Sequence, residues 1–523
     1  MKVLVGIDIG TTNIKVNAFS KEREELFSAS YKNKLIEVNP GYDLDGDYIF
    51  KKVLKSLREI ITRGYQPASL GISSLGETLL PVFNSQRSKI EPDKSSYDRL
   101  AEQKNKIIDV IDNNKSTSQA MIWHDNRSRP QFEAFLNKIT EEEFFRETGL
   151  WPDYIYSIFK LLWYYENKPK IFQAADCWLP VNSYLLYRLT GRAVMDYSQA
   201  SRTGGFNLQQ RTWSQKIFNR LPFSSDVLPE LQDCGIKVGN IKESIKEELK
   251  KELKKKSEIE EDVEMKTEEG KEKPEIDYDI PVSLAGHDHI CGSYAVAGFR
   301  GDLLVDSMGT AEDILAIIDP DEVSREELLA RRVSIGLHVI PGKAYIYKAF
   351  GYSGAVINSL IRLFFNKPVS EISAEDFTRF NREAEEYQKS EYLPEILIAQ
   401  NGDSLAENKY EIDNLNILNF PLDASRGQLF MAAVRYLAEK SRKYIQDIEE
   451  TISRKYDVIA IGGSTKNNLL MNEKSRLLEG ELYINDIKEA VTLGAALLGG
   501  IGAGCYQDYQ SAVTAITREK HKV

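Results

Sequence analysis

The chain has 523 residues, 42% of them hydrophobic and 28% charged, and a formal net charge of −11. At roughly 150 residues per domain, that length holds more than one hydrophobic core. The acidic balance argues against broad electrostatic binding to nucleic acid or to an anionic membrane, and no run of about 18 apolar residues exists to cross a bilayer.

Val3 to Ile9 reads as a strand that enters a tight turn, Gly10-Thr11-Thr12, and Asn13 to Phe19 reads as the return strand. Gly46 to Arg63 has helical spacing, with Ile49, Val53, Leu57 and Ile60 on one stripe. Ser69 to Ser74 and Leu79 to Phe83 read as strands, separated by Gly76-Glu77-Thr78. Residues 85–118 are polar and lysine-rich, and predict a surface excursion with one helix. Ala120 to Trp123 is an apolar run that ends in His124-Asp125-Asn126-Arg127. Helices are expected over Arg129–Ile139, Ser157–Glu166 and Trp178–Thr190, the last stopped by Gly191, and Asp196 to Thr203 reads as a polar turn.

Ile241 to Glu275 is nearly all Lys and Glu and predicts an exposed insertion with no chemistry of its own, in which Lys246 to Lys256 could form a solvated helix through i,i+4 Glu–Lys pairs. Order resumes at Ile280, and Ala285-Gly286-His287-Asp288-His289 leads into a helical pattern from Ile290. Asp302 to Asp306 then reads as a strand approaching a second Gly-Thr turn, Gly309-Thr310, with a return strand over Ala311–Ile318. Helices follow at Ser353–Phe365 and Arg426–Ile448. Asp457 to Ile461 is a strand ending at Gly462-Gly463, and Ala490 to Gly500 is a helix of small residues. The strand–turn–strand device thus occurs twice, at 3–19 and 302–318, which predicts two related α/β domains with a boundary near residue 298. The four cysteines, Cys177, Cys234, Cys291 and Cys505, lack metal-like spacing and read as buried small hydrophobes of a reduced, cytoplasmic protein.

Three residue patterns suggest chemistry. A phosphate at a tight turn needs close backbone N–H groups, hydroxyl donors and nearby positive charge. Gly10, Thr11 and Thr12 supply the first two, and Lys15 offers the third. Asp8 is placed to hold Mg²⁺ through water, because that small hard ion favours carboxylate, water and phosphate oxygens. An ordinary hairpin turn is the alternative. Gly309 and Thr310 repeat the pattern, and Gly462-Gly463 with Asn467 could let a flat base lie against the backbone, or form a plain strand-to-helix turn. Asp288 is a candidate general base for an alcohol, with a helix N-cap and a His-Asp-His metal site as competing readings, the latter disfavoured because adjacent residues project in different directions. Glu77 and Asp125 are candidate hydroxyl acceptors and Trp123 a flat apolar wall for a small polyol or sugar. Trp123 could equally be a core aromatic, and Arg127 an ion-pair partner that orders the Asp125 loop.

In their order along the chain, these segments resemble the FGGY carbohydrate kinase family, of the actin and heat-shock ATPase superfamily. The resemblance is carried by Asp8 to Lys15, Ile122 to Arg127, Lys160-Leu161-Leu162-Trp163 and Leu189-Thr190-Gly191. It continues through Asp196 to Ser201, Ala285 to Asp288, Ser307 to Thr310, Gly462 to Asn467 and Leu493 to Ala496. It implies an α/β fold of two RNase H-like, actin-like ATPase domains facing across a nucleotide cleft. Residues 1–298 would form the sugar-binding side, with insertions at about 85–118 and 241–275, and 299–523 the adenine-nucleotide side. It further implies ATP and Mg²⁺ as cofactors and phosphoryl transfer to a sugar, sugar acid or polyol hydroxyl. Asp288 would be the base, Glu77 and Asp125 would lie near the sugar, and His289 would contact it. The chain departs from the family at Ser464, where a third glycine is usual, and at Asn467 to Leu470, which lacks the usual tryptophan. A catalytically degenerate nucleotide- or sugar-binding regulator on the same fold is the alternative function. A homodimer is compatible with the chain, though nothing in it fixes an interface.

Overall fold

A computed structural model describes residues 1–83, 118–251, 277–309, 311–366, 371, 373–390, 392–399, 414–419, 421–485, 487–514 and 520–523. They form two compact units. Unit 1 comprises Met1–Ala295, Gly336–Gly342 and Glu489–Ala515, and unit 2 comprises Val296–Ile335, Lys343–Lys488 and Ile516–Val523. The expected division at residue 298 lies close to the step from Ala295 to Val296. A single cut does not describe the units, however, because Gly336–Gly342 and Glu489–Ala515 pack with unit 1.

Unit 1 is built on a six-stranded sheet. Lys2–Ile9, Asn13–Phe19 and Glu25–Lys32 form an antiparallel meander, and Gln66–Ser74 and Pro281–His287 add in parallel on the other side of Lys2–Ile9. The strands on the parallel side are buried, which explains their near-continuous apolar runs. Helix Gly46–Thr62 is capped by Asp45, whose side chain accepts from the Tyr48 N–H, and buries the Ile49, Val53, Leu57 and Ile60 stripe in the core. Helix Ala490–Gly502 packs on the sheet at backbone distance. A Cβ on Gly6 would stand 1.7 Å from the Thr492 carbonyl oxygen, and one on Gly71 would stand 1.7 Å from that of Ala495. The helix therefore belongs with the N-terminal sheet although it lies near the other end of the sequence.

Unit 2 repeats the connectivity. Leu303–Met308, Glu312–Ile318 and Ala344–Phe350 form an antiparallel meander, and Asp457–Ile461 and Leu482–Asn485 add in parallel beside Leu303–Met308. Both units thus carry the RNase H-like strand arrangement, a meander of three with parallel strands on its first member. Both sheets turn back through a short link in which a glycine N–H donates to a carbonyl beyond the turn. Gly10 donates to Asn13 at 2.9 Å and Gly309 to Ala311 at 2.8 Å.

Two sequence expectations change. The expected helix Trp178–Thr190 is a strand, Cys177–Pro180, followed by a helix, Val181–Thr190. The four strand residues are fully buried and pair with Leu79–Val82, so tertiary pairing sets the boundary at Pro180. The second expected insertion is also shorter. Residues 243–251 are helical, with Ile241, Ile245 and Leu249 buried in the unit 1 core, and the Arg58 guanidinium donates to Glu248 at 2.6 Å. Residues 252–276, and residues 84–117 of the first insertion, lie outside the described residues.

Candidate active site

The strand ends of unit 1 bring together residues far apart in sequence. Asp8, one residue from the end of its strand, pairs across the meander with Lys15, so both side chains share a face. Burial, and then the charge of Asp288, push the Asp8 carboxyl up to about 7, against the pull of Lys15. Its Oδ1 is buried and has no hydrogen-bond partner. Lys15 Nζ is held by Glu489 at 2.7 Å. Glu489 stands just before the small-residue helix, and sequence reading missed it because the contact spans almost the whole chain.

The turn after Asp8 is pinned by Asn33. Its Nδ2 donates to the Gly10 carbonyl at 2.8 Å, and its backbone N–H donates to that of Thr12 at 2.7 Å. Thr12 itself is exposed. Thr11 Oγ1 accepts from Trp123 Nε1 at 2.9 Å. The expected aromatic wall and the expected phosphate turn are therefore in direct contact.

Asp288 is the first residue of helix Asp288–Ala297 and follows strand Pro281–His287 directly. Its Oδ1 accepts from the His289 backbone N–H at 2.8 Å, and the Nε2 atoms of His287 and His289 stand 3.4 and 3.8 Å away. A carboxylate at a helix start is stabilised by the unpaired N–H groups there. Burial, followed by the positive charges of Arg202 and His289, pulls the His287 pKa well below its ordinary value, so His287 is neutral at physiological pH.

Glu77 is buried with a left-handed backbone, φ 56°, which is uncommon for a residue with a side chain. The Arg202 guanidinium holds it in place, with Nε 2.6 Å and Nη2 2.5 Å from Glu77 Oε1. Burial raises the Glu77 pKa, and Arg202 and Lys160 oppose that shift. Lys160 is also buried, and burial lowers it to about 8. Arg202 and Lys160 were not singled out as site residues from sequence. The signal available for Lys160 was a lysine within an otherwise apolar helical stretch.

Asp125 is placed to order its loop. Its Oδ1 accepts from the Arg127 N–H at 2.9 Å and from Arg127 Nε at 2.8 Å, and its Oδ2 accepts from the Tyr42 N–H at 2.8 Å. Arg127 also pairs with Asp43. Of the two readings open in the sequence, the geometry favours the ion pair that orders the loop carrying Trp123.

Unit 2 holds a pocket of about 810 Å³. Gly309, the start of helix Ser353–Phe365, Asn381 and Arg382 of helix Ala374–Glu385, and Gly463, Ser464 and Lys466 to Asn468 line it. Gly462 has φ 102°, and a Cβ there would stand 2.4 Å from the Met308 carbonyl oxygen, so glycine is required where the strand leaves the sheet. Asn467 caps the next helix through Oδ1, leaving Nδ2 buried without a partner, and Asn381 Oδ1 is likewise buried and unpartnered. Thr310 lies outside the described residues.

Beneath this pocket the Asp306 carboxyl is raised to about 7, by burial first and then by the charge of Glu312, with Lys474 opposing. The folded chain therefore keeps a proton that the unfolded chain releases above about pH 4, and it loses stability as pH rises toward 7. Asp306→Asn removes that dependence. In denaturation curves at a series of pH values, the midpoint difference between variant and parent should shift in the variant's favour from about pH 4 to about pH 7 and then level off.

Among the described residues, no group of three or more His, Cys, Asp or Glu side chains is arranged to hold a metal, and no helix is long and apolar enough to cross a membrane. A family model described as the FGGY family of carbohydrate kinases, N-terminal domain, matches residues 3–117 and 100–253. The glycerol kinase of Thermococcus onnurineus is 23% identical over 534 aligned positions, covering 99% of this chain and 93% of that protein. The L-fuculokinase of Haemophilus influenzae is 22% identical, covering 100% and 99%. Ligand-bound xylulose kinase from Lactobacillus acidophilus superimposes with a TM-score of 0.77 at 17% identity, covering 100% of this chain and 93% of that one. Plasmodium falciparum glycerol kinase with ADP gives 0.77 at 17%, covering 100% and 94%. These structures share the fold. By this family match, with relatives aligned along the whole chain, the protein belongs to the FGGY family of carbohydrate kinases.

Proposed function

We propose that the protein is an ATP-dependent kinase that transfers the γ-phosphoryl group to a hydroxyl of a sugar, sugar acid or polyol, with Asp288 as general base. The observation that carries this reading is the meeting of Asp8, the Gly10–Thr12 turn and Asp288 at the strand ends of unit 1, close enough for the two carboxylates to perturb each other. Asp288 accepts the alcohol proton as the bond to phosphorus forms, and its contribution is one of position. The acceptor is held by unit 1. Glu77, fixed by Arg202, accepts a hydroxyl, His289 offers a ring nitrogen, and Trp123 supplies the apolar wall. Asp125 acts by holding the loop that presents Trp123.

Mg²⁺ fits at Asp8. The buried, unpartnered Oδ1 and the raised pKa mark an oxygen in need of a cation, and water and phosphate oxygens would complete the ion's shell. When bound, the ion supplies neutralisation of phosphate charge. The adenosine part of ATP occupies the unit 2 pocket. There the Asn467 amide N–H and the Asn381 carbonyl oxygen offer a donor and an acceptor to a base edge, and Gly309, which lines the pocket, offers its backbone to the phosphates.

The names of the relatives, glycerol kinase, L-fuculokinase and xylulose kinase, support a small polyhydroxylated acceptor. A panel of polyols, ketoses, aldoses and sugar acids, read by coupled ADP detection, tests the reading. ADP release that depends on one acceptor class is expected. Acceptors that bind without raising ADP release above that of ATP alone would instead favour a regulatory protein.

A further inference from the structure

Lys474 is a fully buried cation that the reading above does not use. It lies on helix Asn468–Leu477, and its Nζ is 2.6 Å from Asp306 Oδ2 and 2.6 Å from Glu312 Oε1. All three residues are 2% exposed or less. Glu312 extends the cluster, because its Oε2 accepts from Ser353 Oγ at 2.7 Å and its Oε1 accepts from Ser441 Oγ.

The ends of this cluster are parts of the pocket wall. Ser353 starts helix Ser353–Phe365, and Ser353, Gly354 and Asn358 line the pocket. The helix bearing Lys474 begins at Asn468, and Asn467 and Asn468 line the pocket from its start. Asp306 lies on the strand that runs into Gly309, a third lining element. Three chain segments that face the pocket are thus tied together beneath it by charged hydrogen bonds of fixed direction.

Such a cluster is not explained by stability alone. Two carboxyl groups, of which Asp306 keeps its proton up to about pH 7, and one ammonium removed from water lose much of their mutual attraction to desolvation, and apolar residues of like volume often serve as well or better. What an apolar replacement cannot supply is direction. Charged hydrogen bonds fix both the distance and the angle between the elements they join.

We propose that Lys474 is a positioning residue for the nucleotide: through Glu312 and Asp306 it sets the spacing of the helix starts at Ser353 and Asn468 that the base and ribose enter. This rests on the reading of the unit 2 pocket as the adenosine site. A single Lys474→Met change leaves two buried carboxyl groups without their shared donor and tests folding more than positioning. The informative variant is the neutral triple, Asp306→Asn/Glu312→Gln/Lys474→Met, in the full-length chain, with Glu312→Gln alone as the mild form that keeps hydrogen bonds to Ser353 and Lys474.

ADP affinity is measured by calorimetry, and KM for ATP, KM for the acceptor and kcat by steady-state kinetics. In the triple variant, KM for ATP and Kd for ADP should rise about tenfold or more, while acceptor KM and kcat at saturating ATP stay within about threefold. Glu312→Gln should show a smaller rise of the same pattern. Unchanged ADP affinity in a folded variant, or equal losses in both substrates, overturns the inference. If the triple variant fails to fold, Glu312→Gln decides by the same split. Failure of the wild-type chain to bind ADP at all would instead overturn the adenosine-site reading and this inference with it.

Discussion

Asp288→Asn should lower acceptor-dependent ADP release by about 10²- to 10⁴-fold, the range typical of losing a general base. Asparagine keeps the size of aspartate, and its side-chain oxygen can still accept from the His289 N–H, so the start of helix Asp288–Ala297 should keep its geometry. What disappears is an anion able to take a proton. The neighbouring His287 cannot replace it, since its Nε2 stands 3.4 Å from Asp288 Oδ1 but the ring is buried and packed beneath Gly76. ADP binding to unit 2 should be retained within about threefold, so the loss would fall on kcat rather than on nucleotide affinity. Single-turnover kinetics with calorimetry of ADP binding separates the two. Turnover near that of wild type would remove Asp288 from the role of base.

Gly6→Ala and Gly71→Ala should each destabilise unit 1 by about 3 kcal/mol or more, at or beyond the upper end of ordinary overpacking costs. The two glycines face each other in the register of strands Lys2–Ile9 and Gln66–Ser74. Each added methyl would meet a backbone carbonyl oxygen of helix Ala490–Gly502 at 1.7 Å, and a backbone cannot turn aside as a side-chain tip can. The helix's own glycines make close approaches as well. A Cβ on Gly494 would stand 2.3 Å from the Cys291 carbonyl oxygen, and one on Gly499 would stand 2.6 Å from the Gly71 nitrogen. Gly64→Ala serves as the control. It has φ +82° with nothing within 4 Å, so only the left-handed backbone opposes it, at roughly 1–2 kcal/mol. Denaturant curves that give Gly6→Ala no more than the Gly64→Ala cost would contradict the close approach of helix and sheet. Because the same helix follows Glu489, which holds Lys15, Gly6→Ala should also weaken activity in any fraction that folds.

The contrast between these sites shows what the sequence carries. Asp8, the Gly10–Thr12 turn and Asp288 were legible because each sits at the end of a short apolar run, where the chain must turn and the side chain is left at an edge. The hairpin that opens each meander was legible for the same reason, since each half has its own strand–turn–strand pattern, whereas the third strands, Glu25–Lys32 and Ala344–Phe350, were not. The stripe Ile241, Ile245 and Leu249 was visible in principle at a spacing of four, but the surrounding Lys and Glu, which form the helix's exposed face, masked the one face that packs on the core. Arg202 with Glu77, Glu489 with Lys15, and Lys474 with Asp306 and Glu312 are long-range pairs. No local pattern announces them, because each partner alone looks like a surface charge. At Asp125 the sequence left a hydroxyl acceptor and an ion-paired loop residue both open, and the structure shows the second, with its oxygens accepting from Arg127 and Tyr42.

The central claim, transfer of a phosphoryl group to a carbohydrate hydroxyl, is tested most directly by following the γ-phosphorus of ATP into product. With wild-type protein, Mg²⁺ and an acceptor from the responsive class, phosphorus NMR should show a sugar or polyol phosphomonoester formed one-for-one with ADP, and Asp288→Asn should leave ATP intact over the same period. Inorganic phosphate as the sole product, or a phosphomonoester formed equally well by Asp288→Asn, would contradict the account.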